Sequence, residues 1–353
     1  MQGTFIQTVR WGVVGVMLLG GCRMINAQTG EPAGLKKGVS PGPTGLLVGE
    51  DYRVPLNIIE AVGQYGPGDY ARWIKVGGRD RYYEVHVPPG YKPGKPTPVI
   101  MALHGGVGNA CITRFLSGLD KLADREGFIF IYPAGTGPNS MLKDRMLHWN
   151  YGAPFADEKR DKTDDVGYIR AVLDDAAQCF SIDAKRVFAT GISNGAQMCY
   201  RLICELSARI AAIAPVSGPR PVGEFVAAPT HPVSIMAFHG KMDTFIPFDG
   251  GTIPTKAYKP YPQHPVEEVI QSWVKFDGCT GKPTEKTVNQ AHCRQWEGKD
   301  GSEIVFWILD DGGHTWPGGH TSKTETKGGV GPVSPSINAS ELMWAFFQQH
   351  PLK

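Results

Sequence analysis

Short apolar runs of strand length alternate along this chain with longer stretches whose apolar residues fall three and four apart. Residues 81–88 alternate polar and apolar positions, as a half-buried strand does, and end at Pro88-Pro89-Gly90. Residues 98–103 and 128–132 are continuous apolar runs, the pattern of strands buried on both faces. Residues 186–189, 211–216, 233–238 and 303–309 repeat it. Between them, Leu119, Leu122 and Ala123 mark one face at the end of a helix over 118–126. Ile169, Val172, Leu173 and Ala176 do the same for 166–179, behind Asp164-Asp165, which reads as a helix cap rather than a metal site. Helices follow over 196–206 and 266–276. Asn338-Ala339-Ser340-Glu341 is a capping box that opens a last helix, to about His350.

Strands alternating with helices predict a mostly parallel central sheet covered by helices on both faces, the α/β class. No internal repeat interrupts it, so one domain over 51–353 is expected. Such sheets bind ligands beyond the C-terminal ends of their strands. The polar punctuation falls there: His104, Ser193, His239 to Asp243, and His314 each follow a predicted strand.

The first 50 residues break this pattern. Trp11-Gly12-Val13-Val14-Gly15-Val16-Met17-Leu18-Leu19 is too short for a membrane span, which needs about 20 apolar residues. With Arg10 before it, the run fits the core of a bacterial signal peptide over 1–22. Leu19-Gly20-Gly21-Cys22 is similar to a lipobox, in which the cysteine is acylated and becomes the mature N-terminus. Cleavage after Ile25-Asn26-Ala27 is the alternative. Either reading exports the protein, to the cell envelope or beyond it. A lipid on Cys22 would be its only membrane attachment. Residues 23–50, rich in Gly and Pro, read as a flexible linker. An oxidising compartment suits disulfides among the six cysteines beyond Cys22, with Cys279 and Cys293 the first pair expected. Cys199 and Cys204 point to different faces of one helix and pair elsewhere or remain buried thiols. No C-x-x-C occurs, which weakens any zinc reading. A net charge of +2 with no Lys/Arg block argues against nucleic acid as a partner.

The chemistry centres on Thr190-Gly191-Ile192-Ser193-Asn194-Gly195. Strand, G-x-S-x-G, helix is the setting of a nucleophile elbow, a tight turn that lifts a serine hydroxyl out of the sheet. A serine needs a base, and the base needs an orienting carboxylate. On this architecture the order is Ser, acid, His. Asp243 and His314 fill those slots, with Asp249, Asp310 and Asp311 as rival acids and His239, His292 and His320 as rival bases. The N–H of Asn194, after the nucleophile, is one candidate oxyanion donor. The N–H of Gly106 in His104-Gly105-Gly106-Val107-Gly108 is the other. Trp149 and Trp316 are candidate pocket aromatics, with core packing as the competing reading.

These motifs, with Gly77-Gly78-Arg79-Asp80-Arg81-Tyr82-Tyr83-Glu84-Val85-His86-Val87-Pro88, Leu103-His104-Gly105, Asp164-Asp165-Val166-Gly167-Tyr168-Ile169, His239-Gly240-x-x-Asp243 and Gly312-Gly313-His314-Thr315-Trp316-Pro317-Gly318-Gly319, resemble the esterase/poly(3-hydroxybutyrate) depolymerase family over about residues 70–350. The resemblance implies an α/β-hydrolase fold, a triad of Ser193, Asp243 and His314, and no metal or organic cofactor. It implies an ester substrate: a feruloyl or acetyl ester of plant polysaccharide, or a short hydroxyalkanoate oligomer. Ala196-Gln197 stands where the family often has Gly and Met, which makes Gln197 a candidate to present an amide near the pocket. No polymer-binding module is appended, which weakens the case for a solid-polymer depolymerase. A peptidase, an acyltransferase or a non-catalytic exported binding protein are the competing functions.

Overall fold

The computed structural model describes residues 56–137, 147–152, 162–225, 227–252, 262–321 and 329–353. The expected signal segment, linker and Cys22, and the first residues of the expected domain, lie outside the described residues.

The strands are β1 (Asn57–Ile59), β2 (Gly68–Val76), β3 (Arg79–Val87), β4 (Thr97–Leu103), β5 (Ile129–Pro133), β6 (Ile182–Ile192), β7 (Ala212–Val216), β8 (Ser234–Gly240), β9 (Gly251–Thr252), β10 (Pro262–Gln263), β11 (Thr284–Val288), β12 (Ala291–Glu297) and β13 (Glu303–Leu309). All but β9 and β10 form one eleven-stranded sheet in the order β1-β2-β3-β5-β4-β6-β7-β8-β13-β12-β11. Its centre, β5-β4-β6-β7-β8-β13, is parallel throughout. β3 joins one side of that centre antiparallel, and β12 and β11 close the other as an antiparallel meander.

Two-residue periodicity splits the core in two. Val99, Met101 and Leu103 of β4 face one cluster, and Ile100 and Ala102 face the other. Ile304, Phe306 and Ile308 of β13 alternate likewise with Val305, Trp307 and Leu309. Helices α3 (Asp165–Cys179), α4 (Asn194–Glu205) and α5 (Val266–Phe276) cover the first face. Helices α1 (Ala110–Ser117), α2 (Leu119–Glu126) and α6 (Ala339–Phe347) cover the second. The last helix begins at the expected cap, where Asn338 Oδ1 accepts from Glu341 N–H at 3.1 Å.

The expected Cys279–Cys293 pair does not form. Cys179, Cys199, Cys204, Cys279 and Cys293 are free thiols. Cys293 points from β12 into the second cluster, whereas Cys279 packs against the first, so the sheet lies between them. Cys199 and Cys204 are buried on α4, as one of the two expectations had it.

α1 is held to the sheet by a charge network. On β3, Glu84 and His86 alternate with the core residues Tyr83 and Val85. The buried Arg114 guanidinium of α1 donates to Asp120 at 2.9 Å, to Glu84 at 3.3 Å and to Asp69. His86 spans Asp69 and Asp124, 3.0 Å from each. Burial pushes Glu84 up to about 7 against the opposing pull of Arg114. Burial pulls the His86 pKa down, but the Asp69 hydrogen bond and the charges of Asp120 and Asp69 outweigh it, and the net shift is upward. A histidine whose folded pKa lies above its unfolded value of about 6.5 adds stability that is complete below that value and lost as pH rises through the folded one. The unfolding free energy lost in His86→Gln, measured by urea titration, should therefore be largest below the unfolded value of about 6.5 and shrink as pH rises through the raised folded value. A loss independent of pH would contradict this assignment.

Candidate active site

β6 delivers Ser193 into a backbone conformation that side chains rarely adopt, φ 58° and ψ −122°. Such a residue stores about 1–3 kcal/mol and persists only where its surroundings fix it. Ser193 N–H donates to Val216 O at 2.9 Å, and Ser193 O accepts from Gln197 N–H at 3.0 Å. The next turn of chain must pass close to β4. A Cβ on Gly195 would lie 2.2 Å from Leu103 O and 2.6 Å from His104 O, both main-chain atoms.

Asp243 sits in the loop after β8, and His314 in the loop after β13. The two loops pack backbone on backbone: Met242 N–H donates to Gly312 O at 2.9 Å, and a Cβ on Gly240 would lie 2.1 Å from that same oxygen. Asp243 Oδ1 accepts from the N–H groups of Phe245 and Ile246, both at 2.8 Å. That leaves Oδ2 for His314 Nδ1, at 2.7 Å. A carboxylate only accepts, so Nδ1 supplies the proton of this bond and Nε2 is the ring nitrogen left free of Asp243. Burial works to raise the Asp243 pKa, but the charge and hydrogen bond of His314, the charge of His239 and the Ile246 N–H hold it below the ordinary carboxylate value. His239 donates from Nε2 to Ile246 O at 2.8 Å and stands 3.5 Å from Asp243 Oδ2. Burial lowers its pKa, against the opposing pull of the Asp243 charge.

Ser193 and His314 line one cavity, open to solvent, whose wall also includes Gly105 and Gly106. Among the described residues no hydrogen bond joins Ser193 Oγ to the imidazole. Contacts between nucleophile and base commonly tighten only in the substrate complex. A Cβ on Gly106 would lie 3.6 Å from Asn194 Cβ, so the two expected oxyanion donors are neighbours. Among the described residues no main-chain carbonyl takes either N–H.

The rival acids are engaged elsewhere or exposed. Asp310 binds Lys241 and His292, Asp311 accepts from Ser336, and Asp249 is exposed. Of the three expected pocket residues, only Trp316 lines the cavity, its indole N–H fixed on Ser340 Oγ at 3.0 Å. Trp149 is fully buried in the core beside His104, and Gln197 is buried on α4; neither is part of the cavity wall. Sequence reasoning missed Ile112 and Leu116, which form that wall from α1. Their four-residue spacing after the capping Asn109 was the available signal.

A parallel sheet flanked by helices on both faces, with a serine on a strained strand-to-helix turn, defines an α/β-hydrolase. The acetyl xylan esterase of Aspergillus awamori shares this fold at a TM-score of 0.52 and 14% identity, over 79% of this chain and 99% of that one. An S-formylglutathione hydrolase of Agrobacterium tumefaciens shares it at 0.50 and 11%, over 82% and 99%. The family model for esterase PHB depolymerase matches residues 81–265. The putative esterase NocK of Nocardia uniformis subsp. tsuyamanensis is 30% identical over 70% of this chain and 74% of its own length. Feruloyl esterase B of Piromyces equi is 28% identical over 65% of this chain, a match spanning only 42% of that relative. The chain belongs to the esterase PHB depolymerase family of carboxylic-ester hydrolases.

Gly195→Ala tests the elbow geometry. Its methyl group would overlap two main-chain oxygens that cannot swing away, so unfolding free energy from urea titration should drop by at least about 1–3 kcal/mol. Unchanged stability would mean that β4 and α4 do not approach as described.

Proposed function

We propose that this protein is an exported serine esterase that acts through an acyl-enzyme, with Ser193 as nucleophile, His314 as base and Asp243 as the acid that orients it. The observation that carries the reading is the buried 2.7 Å hydrogen bond from His314 to Asp243, at the edge of a cavity that Ser193 also lines. In this reading His314 Nε2 takes the Ser193 proton as Oγ attacks the ester carbonyl carbon. The carbonyl π electrons move to oxygen, and that oxyanion is received by the N–H groups of Gly106 and Asn194. Collapse breaks the bond to the alcohol, which leaves with the proton from His314. Water then gives a proton to the same nitrogen and attacks the acyl group, freeing the acid and restoring Ser193.

Ile112, Leu116, Ile192 and Trp316 make the cavity wall apolar, which favours an apolar acyl group. Feruloyl or acetyl esters of plant polysaccharide are the substrates proposed, with short hydroxyalkanoate esters as the further class. The signal-like segment 1–22 supports export, with Cys22 as the point of lipid attachment.

Hydrolysis of methyl ferulate, acetylated xylan, p-nitrophenyl esters and hydroxybutyrate oligomers, with amide substrates and alcohol acceptors in parallel, tests this reading. The expected outcome is hydrolysis of at least one ester in preference to amides and to acyl transfer. On that ester Ser193→Ala should lower kcat by about 10⁶-fold. A folded native protein inert toward every ester would favour the binding protein, and preferred amide cleavage or transfer to alcohol would favour the other two functions.

A further inference from the structure

The two N–H groups proposed for the oxyanion come from different elements. Gly106 lies on the loop after β4, and Asn194 opens α4. Neither element by itself sets the gap between them. The run 147–150, which supplies no cavity wall, is bonded to both. Val107 N–H donates to Leu147 O at 2.8 Å, and His148 exchanges hydrogen bonds of 2.9 and 3.0 Å with Thr136. The Trp149 indole N–H donates to His104 O, at the root of the glycine loop, at 3.0 Å. From the other side the Asn194 amide closes on the Trp149 main chain. Its Oδ1 accepts from Trp149 N–H at 2.7 Å, and its Nδ2 donates to Trp149 O at 3.1 Å. Asn150 then ties the run down, with its N–H 2.7 Å from Asp165 Oδ2 and its carbonyl oxygen 2.6 Å from Arg201.

The loop needs such a tie. Val107 has φ 66°, a region that β-branched residues avoid, so the loop would relax if released. His104 braces it from within. Its Nδ1 donates to Gly105 O at 2.8 Å and its Nε2 accepts from Gly135 N–H at 2.9 Å. Burial pulls the His104 pKa down to about 4, which keeps the ring in the neutral form those two bonds require.

We propose that Trp149 is a positioning residue that sets the spacing of the two oxyanion donors, holding the Gly106 loop through its indole and Asn194 through its main chain. The inference rests on the serine-esterase reading above. Donors serve a developing oxyanion only when they lie about 2.7–3.1 Å from it, so a small relaxation of the loop weakens the transition state and leaves substrate binding nearly untouched.

Trp149→Phe keeps an aromatic ring in the core and removes the bond to His104. The expected result is a fall in kcat of about tenfold with KM unchanged, part of the loss seen when a whole donor is removed. Affinity for a trifluoromethyl ketone should fall by the same factor, because its adduct places an oxyanion in the same position. Asn194→Ala, which keeps the donor N–H but frees the Trp149 main chain, should give the same signature and serves if Trp149→Phe does not fold. An unchanged kcat and unchanged inhibitor affinity, whatever happens to stability, would overturn the proposal. So would a fall in kcat without a matching fall in inhibitor affinity. Activity surviving in Ser193→Ala is a separate failure, of the esterase reading itself.

Discussion

Ser193 occupies a backbone conformation that a serine in isolation would leave, and the rest of the site is arranged to keep it there. The constraint comes from both sides of the turn. β6 is locked in the middle of the parallel sheet, and α4 is pressed so near the end of β4 that only glycine fits at Gly195. The strain is tolerable because the sheet on which the turn sits is buried on both faces.

The same edge of the sheet gathers the remaining chemistry. Parallel strands point their C-terminal ends the same way, so loops far apart in sequence meet. The loops that carry Asp243 and His314 then fit each other through glycine-sized gaps, at Gly240 against Gly312. Asp243 spends one oxygen on two N–H groups of its own turn and so presents the other in a fixed direction. Behind the cavity, Arg114 and its acidic partners anchor α1, which carries Ile112 and Leu116 to the wall.

Much of this was legible in the sequence. Strands buried on both faces read as apolar runs because both sides demand it, and the elbow and its partner loops are short motifs whose residues do local steric work. What was not legible depends on neighbours distant in the chain. β11 is exposed at all five positions and carries no apolar alternation, so the meander at that edge left no pattern. Cys279 and Cys293 are near in sequence, yet the sheet separates them. A tryptophan suits a pocket and a core equally, and only the bonds from Trp149 to His104 and Asn194 place it in the core.

The account stands on the hydroxyl of Ser193 being activated by an imidazole that Asp243 holds. Peptide mapping after exposure to a fluorophosphonate examines that activation directly. The account predicts one phosphonyl adduct per chain, on Ser193, forming about 10³–10⁴-fold more slowly in Asp243→Asn. A folded native protein that stays unlabelled, or an adduct carried by any other residue, would contradict it.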